Sequence, residues 1–290
     1  MLSNLSLEHV IRNAGIDTSA TLTNKSKQIV RCADDLNILG RSVPSIKEAF
    51  GNLETAAKDL GLTVNEHKTK FMLQSRKHRV GNGQNITIGD YNLTYLDSNV
   101  SSDNDETKEI RKRIDATNHA FYSLLPVFKS KNVYRETKTK LYKTLIRTVL
   151  SYGSETWTMT VKSAELLVSL ERRMLRRICG PVNSEGIRRI RWNHEIYELY
   201  KEPRISTHIK LMRLRWARHV QRMPETRVAK KVFLESMGGK RPVGKPRARW
   251  EDNVSKDTRD LLGIRNWREQ SRDRDGWRQK IDEAKAQLGL

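Results

Sequence analysis

The sequence predicts an α+β chain in which about one hundred residues of mixed strands and helices precede a long run of helices. Three observations predict it. Before residue 100, short apolar runs are bounded by turn residues. From Asp103 onward, apolar residues recur three and four positions apart. Charge changes along the same axis: residues 1–100 hold 12 Lys/Arg against 10 Asp/Glu, residues 101–250 hold 34 against 15, and residues 251–290 hold 9 of each. The expected domains are 1–100, 101–180 and 181–290.

The elements follow in order. Leu5 to Ile11 reads as the end of a helix. Ile29 to Ala33 reads as a strand and Leu36 to Leu39 as its partner, with Asp34 and Asp35 at the tip between them. Pro44 to Leu60 carries apolar residues at 46, 49, 50, 53, 57 and 60, a helical stripe. Ser45 and Glu48 fit a capping box for it, and Gly61 a stop. Lys70 to Leu73 suits a short strand and Gln74 to Asn85 a polar loop. Ile86 to Ile88 and Tyr91 to Leu93 flank Gly89 and Asp90, a two-residue hairpin signal.

Three helices are expected next. Ile110, Ile114, Phe121 and Leu125 make the first stripe, ended by Pro126. Leu141, Leu145, Val149 and Tyr152 make the second, in a helix starting at Arg135. Leu167, Leu170, Met174 and Ile178 make the third, in a helix from Ser163. Gly180 to Arg191 reads as a loop and a boundary. A second helical group covers Ile205 to Met223, Val228 to Met237, Glu251 to Leu262 and Gly276 to Leu288.

Composition excludes several classes. A chain of 290 residues, 37% hydrophobic, can bury a core for one or two domains. No apolar run approaches the roughly 18 residues needed to span a membrane. Acidic Glu8 falls inside the only apolar run near the N-terminus, against a secretory signal. Cys32 and Cys179 alone exclude a disulfide framework and a Cys-rich zinc knuckle. A reducing, intracellular compartment is expected, nuclear or cytoplasmic. The seven histidines show no zinc spacing, and there is no serine nucleophile elbow or phosphate-binding glycine loop. The net charge of +21 is concentrated in 101–250, the footprint of a polyanionic partner. An evenly spread excess would have pointed to solubility instead.

Asp34 and Asp35 are the first chemical candidates. Adjacent carboxylates at a hairpin tip repel each other unless a hard divalent cation joins them. A paired magnesium site serves phosphoryl transfer by clamping the attacking and leaving oxygens. Equally, Asp-Asp is a polar hairpin turn, and Arg31 to Leu39 alone favours the turn.

The flanking residues add a resemblance. Arg31 to Leu39 resembles the catalytic hairpin of reverse transcriptases, whose signature is an aromatic residue, Ala, Asp, Asp. Gly61 to Met72 resembles the next palm motif of non-LTR retrotransposon polymerases. Leu93-Thr94-Tyr95-Leu96-Asp97 is similar to the primer-gripping hairpin, where the family has Tyr-Leu-Gly. Tyr152 to Trp157, Leu170 to Cys179 and Gly244 to Trp250 resemble the region downstream of the polymerase in insect-type elements. The resemblance covers nearly the whole chain.

It implies a truncated reverse-transcriptase palm, a mostly α-helical thumb and a basic C-terminal helical region. Asp34 and Asp35 would bind magnesium and the incoming dNTP. Lys68 would stand near the leaving pyrophosphate as a proton donor. Tyr95 and Leu96 would hold the primer end. Thumb and tail would bind template-primer or element RNA, so the implied partners are RNA and DNA, with no membrane. The departures are Cys32, where the family has Tyr or Phe, and Asp97, where it has Gly at a turn that wants positive φ. The chain opens on a stretch resembling the tail of the template-positioning helix, so the fingers and a third catalytic aspartate are expected outside it. Asp17, in a short polar loop, does not replace that aspartate. The implied protein is a C-terminal fragment of an RNA-directed DNA polymerase, a nucleotidyltransferase inactive alone. A nucleic-acid-binding module and an unselected transposon remnant are the alternatives.

The basic tract is a separate candidate. Met237 to Trp250 carries Lys240, Arg241, Lys245, Arg247 and Arg249 and no acid. Its Gly and Pro residues oppose helix and central strand. An extended basic loop can follow a phosphate backbone; the alternative is a linker. Arg172, Arg173, Arg176 and Arg177, and then Lys210, Arg213, Arg215, Arg218 and Arg222, add helical candidates. All six Trp lie between 157 and 277. Most are expected in the core, with Trp216 in phase with Ile205, Ile209, Met212 and Val220, and one or two touching nucleic acid.

Overall fold

The computed structural model describes residues 2–16, 28–65, 68–72, 92–101, 105–184, 186–234, 243–244 and 248–287. The chain divides into two compact units: residues 1–71 with 223–246, and residues 72–222 with 247–290. The boundary between the units falls at 71/72, and the stretch 223–246 groups with the first unit. The architecture is mainly helical, with three two-stranded antiparallel sheets among the described residues.

In the first unit, α1 (Leu2–Asn13) and α2 (Val43–Lys58) flank the hairpin of β1 (Gln28–Cys32) and β2 (Asp35–Leu39). Register sets which residues face the helices. Ile29 opposes Ile38 and Arg31 opposes Leu36. Ile29, Leu36 and Ile38 pack against Val10 and Ala14 of α1 and Leu53 and Ala57 of α2. Arg31 reaches Glu8 of α1 at 3.3 Å. The α2 cap is Ser42, whose Oγ accepts from Ser45 N at 3.3 Å, so the helix starts three residues before the expected capping box. Pro44 fits there because the first turn needs no N–H from it. Residues 70–72 form no strand. In the same unit, α10 (Val228–Leu234) stacks Lys230 over Phe233 at 5.8 Å.

The second unit starts with the hairpin of β3 (Asn92–Tyr95) and β4 (Ser98–Ser101), then α3 (Thr107–Ser123) and α4 (Leu125–Lys129). The predicted hairpin around Gly89 and Asp90 lies outside the described residues apart from Asn92 and Leu93, which belong to β3. A continuous helix follows, in which α5 (Arg135–Leu141) and α6 (Arg147–Ser151) are joined by a π-helical stretch, Tyr142–Ile146. Here the expected stripe was one residue out of phase. The buried positions are Lys138, Tyr142, Ile146 and Leu150, while Leu145 and Tyr152 are about half exposed. A strict four-residue repeat drifts around an α-helix of 3.6 residues per turn. The wider π turn absorbs that drift and keeps the four on one side.

Next come a 3₁₀ turn, Ser154–Thr156, and α7 (Val161–Cys179), whose Leu167, Leu170, Met174 and Ile178 are all buried as expected. The expected loop after it contains a hairpin, β5 (Val182–Ser184) with β6 (Ile187–Arg189). Three-residue strands are too short to show alternation. The unit closes with α8 (Asn193–Tyr200), α9 (Ile205–Arg222), α11 (Trp250–Leu262), α12 (Trp267–Gln270) and α13 (Arg274–Gln287). The core joins Ile110, Phe121, Tyr142, Leu150, Trp157, Leu167, Met174 and Ile205, among others. Trp157, Trp267 and Trp277 are core residues; Trp192 is 63% exposed. No helix of the described residues is long and apolar enough to cross a membrane.

Candidate nucleic-acid interface

The catalytic candidates lie on the first unit. Ala33 and Asp34 form the two-residue tip, with Ala33 at φ +52°, and Asp35 is the first residue of β2, opposite Cys32. Asp34, Asp35 and Lys68 are all exposed. A magnesium pair needs several oxygen donors converging on it. Among the described residues no group of three or more His, Cys, Asp or Glu could hold a metal ion. Asp34 at the tip and Asp35 at the head of β2, rather than both at the tip as expected, supply two carboxylates, and no chemical step is derived through them.

Tyr95 and Leu96 belong to the second unit, and there the geometry is more informative. Leu96 and Asp97 are the hairpin tip, at φ +46° and +63°. Positive φ at both central residues is the turn that matches strand twist, and Asp tolerates it better than most residues. The Asp97 carboxylate accepts from Lys112 Nζ at 2.8 Å and Arg113 Nη1 at 2.9 Å. These contacts, the Lys112 hydrogen bond foremost, hold its carboxyl below the usual range. The Asp97 carbonyl accepts from the same two side chains. Arg113 is fixed in turn by Glu109 at 2.7 Å and lies 4.6 Å over the Tyr152 ring. Tyr152 Oη donates to Leu96 O at 3.0 Å.

The stretch after Tyr152 is a junction. Gly153 takes φ +68°, a conformation that favours glycine, and a Cβ there would meet Ser98 Oγ closely, at 3.3 Å. Glu155 O accepts from Trp250 Nε1 at 2.8 Å. Trp157 O accepts from Arg213 Nη2 at 2.7 Å. Residues 96, 152–157, 213 and 250, far apart in sequence, therefore meet around one turn.

The basic candidates sort into inward and outward groups. Arg213 is only 2% exposed, and its Nη1 donates to buried Asp257, which also has Lys210 at 3.4 Å. A guanidinium so placed holds α9 to α11 and does not reach a phosphate. On α7, Arg172 is half-buried, 5.9 Å from the Tyr197 ring, and Arg176 bonds Asn193 at 2.7 Å. Arg173 and Arg177 are exposed, one bonding Asn118 at 2.8 Å and the other 5.6 Å from the Tyr122 ring. Their partners are neutral, so the charge faces solvent undiminished. Lys240, Arg241, Lys245 and Arg247 lie outside the described residues. Arg249 is exposed at the start of α11, where Asp252 accepts from its N–H at 2.9 Å.

Sequence reasoning missed Arg274 and Arg278, which fall in a helix whose acidic residues hid them. Arg218, on α9, donates through Nη1 to Arg274 O at 3.1 Å. Its pKa is pushed below the usual arginine value, first by burial and then by Arg222, Arg274, Arg215 and Arg278. Glu171, on α7, was also missed. Its Oε2 accepts from Ile205 N at 2.9 Å and Tyr197 Oη at 3.0 Å. Burial raises its pKa from 4.5 to about 7.

No protein-family model matches the chain, and no solved structure matches it. It is similar to an uncharacterized transposon-derived protein of Caenorhabditis elegans, with 24% identity over 268 residues, covering 86% of this chain and 92% of that protein.

Proposed function

We propose that the chain derives from a transposon, that it corresponds to the part of a non-LTR reverse transcriptase running from the catalytic hairpin through the thumb, and that it acts by holding nucleic acid. The observation that carries the binding role is α9. It has no acidic residue among its eighteen, turns Arg215, Arg218 and Arg222 toward one side, and keeps Arg213 inside as its anchor. A helix of one charge sign raises the local concentration of a polyanion. The transposon origin is supported by the similarity to the worm protein over most of both chains. The reverse-transcriptase reading rests on the motif order from Arg31 to Trp250, and it gains support from the meeting of Leu96, Tyr152 and Trp250 around one turn.

The test is a titration of labelled RNA and single-stranded DNA with the full chain at several salt concentrations, with a primer-extension assay alongside. The expected results are sequence-tolerant binding that weakens linearly on log–log salt axes, and no extension with magnesium or manganese. Absence of binding at low salt overturns the binding role. Extension abolished by Asp34→Ala overturns the reading of the hairpin as non-catalytic in this chain.

A further inference from the structure

Arg215, Arg218 and Arg222 stand three and four residues apart on α9, which puts them on one face over about 10 Å of helix. Arg274 and Arg278, four apart on α13, join that face through the Arg218–Arg274 O bond. Among the described residues, none of these five guanidinium groups has a carboxylate within ion-pair distance. The nearby acid, Asp282, is itself paired with Lys285 at 3.0 Å. Arg218 Nε is buried and has no hydrogen-bond partner. Five like charges held together on two helices repel, and Asp282, which acts on Arg215 and Arg278 without pairing with either, offsets that repulsion only in part. Such an arrangement is built for an anion that arrives from outside.

Aromatic groups border the arginines. Trp216 and His219 have ring centroids 5.4 Å apart, and His219 shares the exposed side of Arg215 and Arg222. Arginines with flanking aromatic rings suit a strand whose bases are unpaired, because the phosphates meet charge and the bases meet ring faces.

We propose that the face of Arg215, Arg218, Arg222, Arg274 and Arg278 holds the phosphate backbone of a single-stranded nucleic acid, with Trp216 and His219 beside it as the stacking ledge. This rests on the nucleic-acid-binding reading above and assigns it to a place.

The experiment uses the full chain, a fluorescent single-stranded RNA of mixed sequence, and a duplex DNA of equal length as the second arm. The variant carries Arg215→Gln, Arg222→Gln, Arg274→Gln and Arg278→Gln. Arg218 is kept because it ties the two helices. A control of equal charge carries Lys129→Gln, Lys131→Gln, Arg135→Gln and Lys140→Gln. The expected result is a salt slope smaller by roughly 0.7 per lost phosphate contact in the first variant, and an unchanged slope in the control. Without nucleic acid, the first variant should melt no lower than the parent, because it loses repulsion and no ion pair. His219→Ala and Trp216→Ala should weaken RNA binding about tenfold while leaving the salt slope in place. Equal loss in variant and control would show that net charge alone binds, and would overturn the assignment while leaving the binding role intact. Tighter binding of the duplex than of the single strand would overturn the choice of a single strand. No binding by the parent chain would remove the reading on which both rest.

Discussion

Replacing Arg213 with methionine is expected to lower stability by about 3 kcal/mol and to leave nucleic-acid binding unchanged. The side chain makes two buried contacts, one to Asp257 and one to Trp157 O at 2.7 Å. Breaking a buried ion pair from one side costs about 3–5 kcal/mol, because the other charge stays behind without compensation. Here Lys210 remains 3.4 Å from Asp257, which places Arg213→Met at the lower end. Asp257→Leu should fall at the upper end, since it leaves the buried guanidinium with a single carbonyl partner. The double variant should lose less than the two single losses together, because two buried charges leave as a pair. Urea denaturation with an unchanged m-value gives these differences directly. If Arg213→Met is within about 0.5 kcal/mol of the parent and lowers the salt slope of RNA binding by roughly 0.7–0.9, then Arg213 contacts phosphate and its burial has been misread.

Three further outcomes are expected. Replacing Lys240, Arg241, Lys245, Arg247 and Arg249 with Ser should reduce affinity for all sequences alike, because phosphate contacts carry no base readout; a sequence-dependent loss would refute it. In hydrogen exchange, residues 28–39 should exchange faster than 161–178, because among the described residues β1 and β2 pair only with each other, whereas α7 carries buried core residues; equal protection would count against this. Glu171→Gln should change the pH profile of stability. A carboxyl raised from 4.5 to about 7 makes the parent lose stability as pH rises through that window, while His208, lowered by burial from 6.5 to about 4, makes it gain stability from pH 4 to 6.5. The parent should therefore vary little from pH 4.5 to 6.5, and the variant should gain stability there, by up to about 1.4 kcal/mol per unit; coincident profiles would sink the assignment.

Much of the helical part was legible because periodicity and burial coincide in it. The stripe Leu167, Leu170, Met174 and Ile178 is buried as expected. The helix from Arg135 failed at its phase, since a periodicity of 3.6 does not anticipate a π turn, and the buried Tyr142, Ile146 and Leu150 were passed over for their neighbours. The first hairpin was legible as a hairpin but not in register: the tip is Ala33 and Asp34 rather than Asp34 and Asp35, so Asp35 pairs with Cys32 and Leu36 with Arg31. Asp34 and Asp35 are exposed, and sequence spacing does not say whether other carboxylates converge on them. Among the basic residues, sequence identified the helix but not the inward member. Arg213 and Arg215 look alike in a list of charges, but Arg213 is in phase with buried Ile209 and Val220 and Arg215 is not; the partner that compensates Arg213, Asp257, lies 44 residues away and is not legible from the helix.

Asp97 stands at a positive-φ position that glycine fills more readily. Glycine at the second place of such a turn relieves backbone strain but makes no side-chain contact. Aspartate accepts some strain at φ +63° and gains Lys112 and Arg113 as partners. The surface pair with Lys112 contributes at most about 1 kcal/mol, and the pair with Arg113 joins an exposed carboxylate to a buried guanidinium. The consequence is geometric. The same two cations also bind the Asp97 carbonyl, and Arg113 is buried against Glu109 and Tyr152. The tip is therefore tied to α3 and, through Tyr152, to the turn that receives Trp157, Arg213 and Trp250. A hairpin held this way keeps one orientation toward the helices behind it. Here Asp97 makes its placement depend on charge as well as on backbone shape.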